Sequence, residues 1–75
     1  MQSKKKRQLV EETILSSYES MYRIAFTYVK NQEDALDIVQ DSACRAMQYA
    51  DSVKKEEYVE TWLFRIVINL SLIHI

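Results

Sequence analysis

Apolar residues recur at three- and four-residue intervals along most of the chain and predict three helices. In residues 7–30 the positions Ile14, Tyr18, Met21, Tyr22, Ala25, Tyr28 and Val29 fall on one wide, aromatic helix face. The pattern breaks at Asn31. Its side chain can accept a backbone N–H, and Asp34 three residues on resembles a capping box, so Asn31 is the predicted N-cap of a second helix over residues 32–49. There Ala35, Ile38, Val39, Ser42, Ala43, Ala46 and Met47 share a stripe of mostly small side chains. Small residues let helix axes approach closely, which predicts a central place for this helix, with Asp37, Gln40, Asp41 and Gln48 on its outer face.

Residues 50–57 (ADSVKKEE) read as an exposed connection in which Asp51 and Ser52 are available as helix-starting caps. A third segment from about residue 56 carries Val59, Trp62, Leu63, Ile66, Val67 and Leu70. Its end is crowded with β-branched residues, which leaves a strand as the alternative, although residues 58–69 fit a helix better. No repeat or linker divides the segments, and 75 residues hold one small domain with a thin core. The expected fold class is all-α, a compact three-helix unit. With Gly 0 and Pro 0, no position is marked for left-handed backbone or a sharp hairpin.

Ten Lys and Arg against eleven Asp and Glu give a formal charge of −1, so any contact with nucleic acid must come from local charge. The lone Cys44 beside Ala43 reads as small packing filler in a reducing compartment, and a cytoplasmic location is expected. The basic start lacks the apolar run of a signal peptide, and residues 66–75 are too short to cross a membrane, so no membrane insertion is expected. Neither His74 nor Cys44 has a catalytic partner at workable spacing, so no enzyme activity, cofactor or metal is expected. Asp34, Asp37 and Asp41 lie on adjoining helical turns. Without a converging histidine or second acidic helix they read as a charged, protein-docking face rather than a cation site. Lys54, Lys55 and Arg65 near Tyr58, Trp62 and Phe64 form the cation and ring mixture that single-stranded nucleic acid favours. The competing reading makes Trp62 a core anchor and lets Glu56, Glu57 and Glu60 repel phosphate.

Two strings, YRIAFTYVKNQEDALDIVQDSACRAM (residues 22–47) and YVETWLFRIVINL (residues 58–70), resemble the first conserved domain, region 2, of extracytoplasmic-function (ECF) sigma factors in the sigma-70 family. The resemblance covers residues 15–69, behind a basic extension and helix start at 1–14. It implies a transcription initiation factor that binds RNA polymerase core and recognises and melts the promoter −10 element. Leu36, Asp37, Gln40 and Asp41 would then pack on the clamp helices of the largest polymerase subunit, with Met47 as an apolar edge contact. The loop from Ser52 to Tyr58 would capture a base of the non-template strand, with Lys54, Lys55 and Arg65 on phosphates and Trp62 and Asn69 on the following helix. Trp62 is expected to be mainly structural. An anti-sigma factor is a further implied partner. The alternative is a helical interaction module, an adaptor or anti-sigma partner, that does not bind DNA.

The chain departs from the family in three places. Its loop carries Lys54-Lys55-Glu56-Glu57 where many members have a Gly/Ser-rich turn, and the second, promoter −35-reading domain (region 4) is expected to be absent. Where members continue with a charged helix, this chain ends LSLIHI, which resembles the translation of a transposon end used as a sequencing adapter. Residues 70–75 are therefore expected to be a non-native tail.

Overall fold

The computed structural model describes residues 2–74. Met1 and Ile75, the outer ends of the expected basic extension and tail, lie outside the described residues, as do the side chains of Gln2 and Ser3. Three helices pack on one another: α1 (Gln2–Val29), α2 (Gln32–Gln48) and α3 (Val59–His74), with 3-10 turns at Ala50–Ser52 and Glu56–Tyr58 between the last two. The all-α, three-helix expectation is met, and α3 is helical throughout, against the strand alternative.

Helix α1 begins five residues earlier than its hydrophobic pattern predicts, so the basic cluster of residues 4–7 is helical. Its inner stripe is Val10, Ile14, Ser17, Met21 and Ala25. Tyr18, expected inside, is 42% exposed, and Ser17 takes the inner place because a hydroxyl fits where the helices lie close. The helix ends at Lys30, whose N–H still bonds Phe26 C=O (2.8 Å) but whose φ of 55° is left-handed. No glycine marks this position in the sequence, and a non-glycine residue there costs on the order of 1–2 kcal/mol. Asn31 follows in extended backbone and its Oδ1 accepts the Asp34 N–H (3.0 Å), so the predicted N-cap is in place.

Ala35, Ile38, Val39, Ser42 and Ala46 form the buried face of α2, while Ala43 and Met47 at its edges are half-buried against the core. Cys44 is exposed rather than filling space, because the next residue after Ala43 has already turned onto the outer arc. Val59, Leu63 and Val67 are the buried aliphatic positions of α3, at four-residue spacing. Leu63 and Met21 are the largest fully buried side chains, and α2 contacts both other helices.

The connection after α2 is only partly exposed, because Ala50 and Val53 are buried in the core. Neither Asp51 nor Ser52 caps α3. Ser52 Oγ–H donates to Tyr49 C=O and closes the first 3-10 turn, and the second turn opens at Lys55 without a side-chain cap. Glu56, Glu57 and Glu60 instead place carboxylates around the start of α3, where the helix dipole favours negative charge.

Among the described residues one buried side-chain polar atom has no partner: Ser42 Oγ, on the face of α2 that is closed to solvent. Ser42→Ala removes that desolvated hydroxyl and is expected to raise stability by about 1 kcal/mol, a Tm increase of about 4–8 °C for a domain this size. Leu63→Ala should cost about 2–5 kcal/mol, enough to unfold most of a small domain. Thermal unfolding followed by circular dichroism checks both; an unchanged or lower Tm for Ser42→Ala would contradict the first.

Candidate nucleic-acid and protein-docking faces

The loop between α2 and α3 is held at two points and free between them. With Ala50 and Val53 in the core, residues 53–55 run extended from one 3-10 turn to the next, and both Lys54 and Lys55 face solvent. Tyr58 at the end of the second 3-10 turn and Trp62 and Arg65 on the first two turns of α3 follow at three- and four-residue spacing, which keeps them on one side.

Ser52, Lys54, Lys55, Tyr58, Trp62 and Arg65, six of the seven residues expected to contact DNA, line a single groove of about 470 Å³, together with Val53 and Thr61. Lys55 Nζ stands 6.0 Å from the centre of the exposed Tyr58 ring, at the outer limit of a cation–π contact. Trp62 has two environments, since it packs on the core and also forms part of the groove wall. Asn69, the seventh, is exposed on α3 beyond Arg65 and does not line the groove.

None of the three nearby glutamates lines this groove. Glu60 turns toward α1, where its Oε2 accepts a hydrogen bond from Ser17 Oγ–H (3.2 Å), and Glu56 borders a different depression beside Lys5, Lys6 and Lys54. The three glutamates are thus kept off the groove walls, with Glu56 beside Lys54 on the adjoining depression. Lys5 and Lys6 at this end of the molecule were not expected from the sequence. The basic run was visible there, but only the fold brings it beside the loop.

The second expected face is the outer side of α2. Leu36, Asp37, Gln40 and Asp41 are all exposed, and Leu36 is an uncovered aliphatic side chain among them. Asp37, Gln40 and Asp41 line a shallow groove with Cys44 and Arg45, whose far wall is Leu70, Ile73 and His74 of α3. Met47 is set apart from that groove, half-buried against the core, so only part of it is presented outward. His74 Nε2 lies 3.5 Å from Asp34 Oδ1. Among the described residues no group of three or more His, Cys, Asp or Glu is gathered to hold a metal ion. No helix among the described residues is long and apolar enough to cross a membrane.

The family model for sigma-70 region 2 matches residues 13–75. The chain belongs to the sigma-70 region 2 family. Members of this sigma family are transcription initiation factors rather than enzymes. Among curated proteins the region 2 chain is similar to RNA polymerase sigma factor SigV of Bacillus subtilis (strain 168), at 38% identity over 64 residues, 85% of this chain and 39% of SigV. It thus spans about two fifths of the relative it matches. No solved structure matches this region 2 chain significantly.

The groove at Trp62 combines three cations with no lining carboxylate, and such a concentration of one sign attracts anions. Trp62 is the single tryptophan, so its emission reports on this site alone. With each ion normalised to its quenching of free N-acetyltryptophanamide, iodide is expected to quench it more strongly than caesium, and Lys54→Ala/Lys55→Ala should remove most of that difference. Equal normalised quenching by the two ions in the unaltered protein would contradict the electrostatic description.

Proposed function

We propose that this chain is the core-binding and promoter-opening domain of an ECF-type sigma factor, acting in transcription initiation. The observation that carries the reading is the groove at the start of α3. It places Lys54, Lys55 and Arg65 beside Tyr58 and Trp62 and keeps Glu56, Glu57 and Glu60 off its walls. Unpairing a base costs a few kcal/mol, and stacking on an aromatic ring returns about 1–3 kcal/mol per base. Cations that meet the flanking phosphates add an attraction that falls with salt. A non-template base of the −10 element seated against Tyr58 or Trp62, with its phosphates on Lys54, Lys55 and Arg65, uses each of these terms. Asn69 lies further along α3 and would meet DNA beyond the groove.

The outer face of α2 is the proposed dock for the clamp helices of the polymerase's largest subunit. Asp37 and Asp41 supply carboxylates, Gln40 a neutral hydrogen-bonding group and Leu36 an exposed apolar contact, with Met47 at the edge. Carboxylates opposing a basic partner set register and association rate more than affinity, while reversing one brings like charges together at a cost of several kcal/mol. A pull-down with bacterial core polymerase tests this: Asp37→Arg should reduce retention by about tenfold or more, and Gln40→Ala by less. Equal retention of both variants and the unaltered chain would remove the assigned face. Retention by polymerase without any binding of single-stranded promoter DNA would favour the interaction-module reading instead.

Residues 70–75 are proposed to be a non-native tail. Support comes from Leu72 and Ile73, whose apolar side chains are left mostly exposed, whereas Leu70 packs against the core. Ser71 puts a hydroxyl on the buried stripe after Val59, Leu63 and Val67, where it back-bonds to Val67 C=O (2.8 Å), while Leu72 and Ile73 are 55% and 79% exposed. Sequencing the locus from genomic DNA should show an open frame diverging after residue 69 or 70; the codons for LSLIHI followed by a stop in the genome would overturn this.

A further inference from the structure

Seven of the ten cationic side chains belong to two short segments, Lys4 to Arg7 at the start of α1 and Lys54, Lys55 and Arg65 around the loop. The fold brings these segments to the same end of the molecule. Lys6 Nζ–H donates to Asp51 C=O (3.3 Å), and Lys5 and Lys6 line a depression of about 290 Å³ with Leu9, Val53, Lys54 and Glu56. Val53 and Lys54 line this depression and the groove at Trp62 alike, so the two meet along a shared wall.

Apart from the Lys6 bond to the Asp51 carbonyl, no partner among the described residues accounts for the cations on α1. They occupy the helix N-terminus, where the dipole disfavours positive charge; the first turn holds no acid, and none of the four forms an ion pair among the described residues. Glu56 is the single carboxylate on the depression's wall, against three lysines. A run of like charge held together on a folded surface at such a cost is suited to an external polyanion.

We propose that the first turns of α1 form a phosphate track continuous with the loop groove. A single DNA strand seated at Trp62 and Arg65 would cross Lys54 and deliver its next phosphates to Lys5 and Lys6. This rests on the reading of the groove as a DNA site and extends its footprint to a second element. It also assigns a role to a basic cluster that lies ahead of the residues matched by the family model.

The test is fluorescence-anisotropy titration of the 75-residue chain with labelled oligothymidylates, one short enough to fill only the groove and one long enough to cover both depressions, over 50–200 mM KCl. Variants are Lys5→Gln/Lys6→Gln, Lys54→Gln/Lys55→Gln and, as a control on the far end of α1, Lys30→Gln, each checked for helicity by circular dichroism. Each single-strand phosphate contact contributes about 0.7 to the logarithmic salt slope. Lys5→Gln/Lys6→Gln should therefore lower the slope for the long oligonucleotide by about 1.4, equivalent to about a sevenfold smaller loss of affinity across that salt range. The short oligonucleotide and the Lys30→Gln control should show no change. If Lys54→Gln/Lys55→Gln weakens both oligonucleotides while Lys5→Gln/Lys6→Gln alters neither, the track is overturned and the groove stands. If neither double variant matters, or the unaltered chain binds no oligonucleotide, both readings fall. Loss of binding to anionic vesicles or an acidic protein, with the long-oligonucleotide slope unchanged, would assign the cluster to that partner and overturn the DNA track.

Discussion

The mutual packing of the three helices is the contact on which the rest of the structure depends. It is possible because α2 presents Ala35, Val39, Ser42 and Ala46 inward, side chains too small to hold neighbouring helices apart. A core this thin has few large anchors, with Met21 and Leu63 filling most of what the small residues leave open. Ser17 and Ser42 occupy inner positions for the same steric reason, and Ser42 does so with its hydroxyl unsatisfied. Shape outweighs polarity at these positions, which is characteristic of a domain near the lower limit of self-supporting size.

That packing also decides where charge can go. All three inner stripes are used within the domain, so ionisable groups are displaced to the outer faces of the helices and to the loop. The near-zero net charge conceals a separation, with carboxylates at Asp37 and Asp41 and cations at Lys5, Lys6, Lys54, Lys55 and Arg65. Glu56, Glu57 and Glu60 fit this division once their structural task is recognised. They lie at the N-terminal end of α3, and Glu60 is directed to Ser17, so they stabilise a helix start without facing the groove. A count of charges along the loop gives the wrong sign for the surface that the loop presents.

Most of the helical framework was legible in the sequence, because periodicity and capping are local. Asn31, the α2 stripe and the Val59, Leu63, Val67 spacing all follow from rules acting over a few residues. The misjudged or unmarked features depend on distant contacts or on backbone energetics. Tyr18 and Ser17 exchanged places because α3 lies against α1 there, as the Ser17–Glu60 hydrogen bond shows. Lys30 adopts a left-handed conformation because the chain must turn from α1 into α2 and has no glycine to offer. Ser52 bonds backward within its own turn because Ala50 and Val53 fix the loop, leaving no free helix start for it to cap. The cation and ring composition of the candidate groove could be read from residues 52–65, but its freedom from carboxylates required side-chain directions, and the proximity of Lys5 and Lys6 required the fold.

Helix α3 connects the two candidate faces. Its first turns, with Tyr58 just before them, form one wall of the loop groove through Trp62 and Arg65, and its last turn forms the far wall of the depression beside Asp37, Gln40 and Asp41. Between them Leu63 and Val67 fix the helix to the core, so a partner seated on α2 and a strand seated at Trp62 would both bear on one rigid element. The wall beside α2 is made by Leu70, Ile73 and His74, all within the proposed tail, whereas the groove at Trp62 takes nothing from those residues. Access to the acidic face of α2 is thus sensitive to the side chains carried beyond Asn69, and the shape of the loop groove is set by residues well before it. Charge reversal at Asp37 therefore probes a surface partly defined by the end of α3, whereas substitutions at Lys54 and Lys55 probe one built from the loop and the helix start alone.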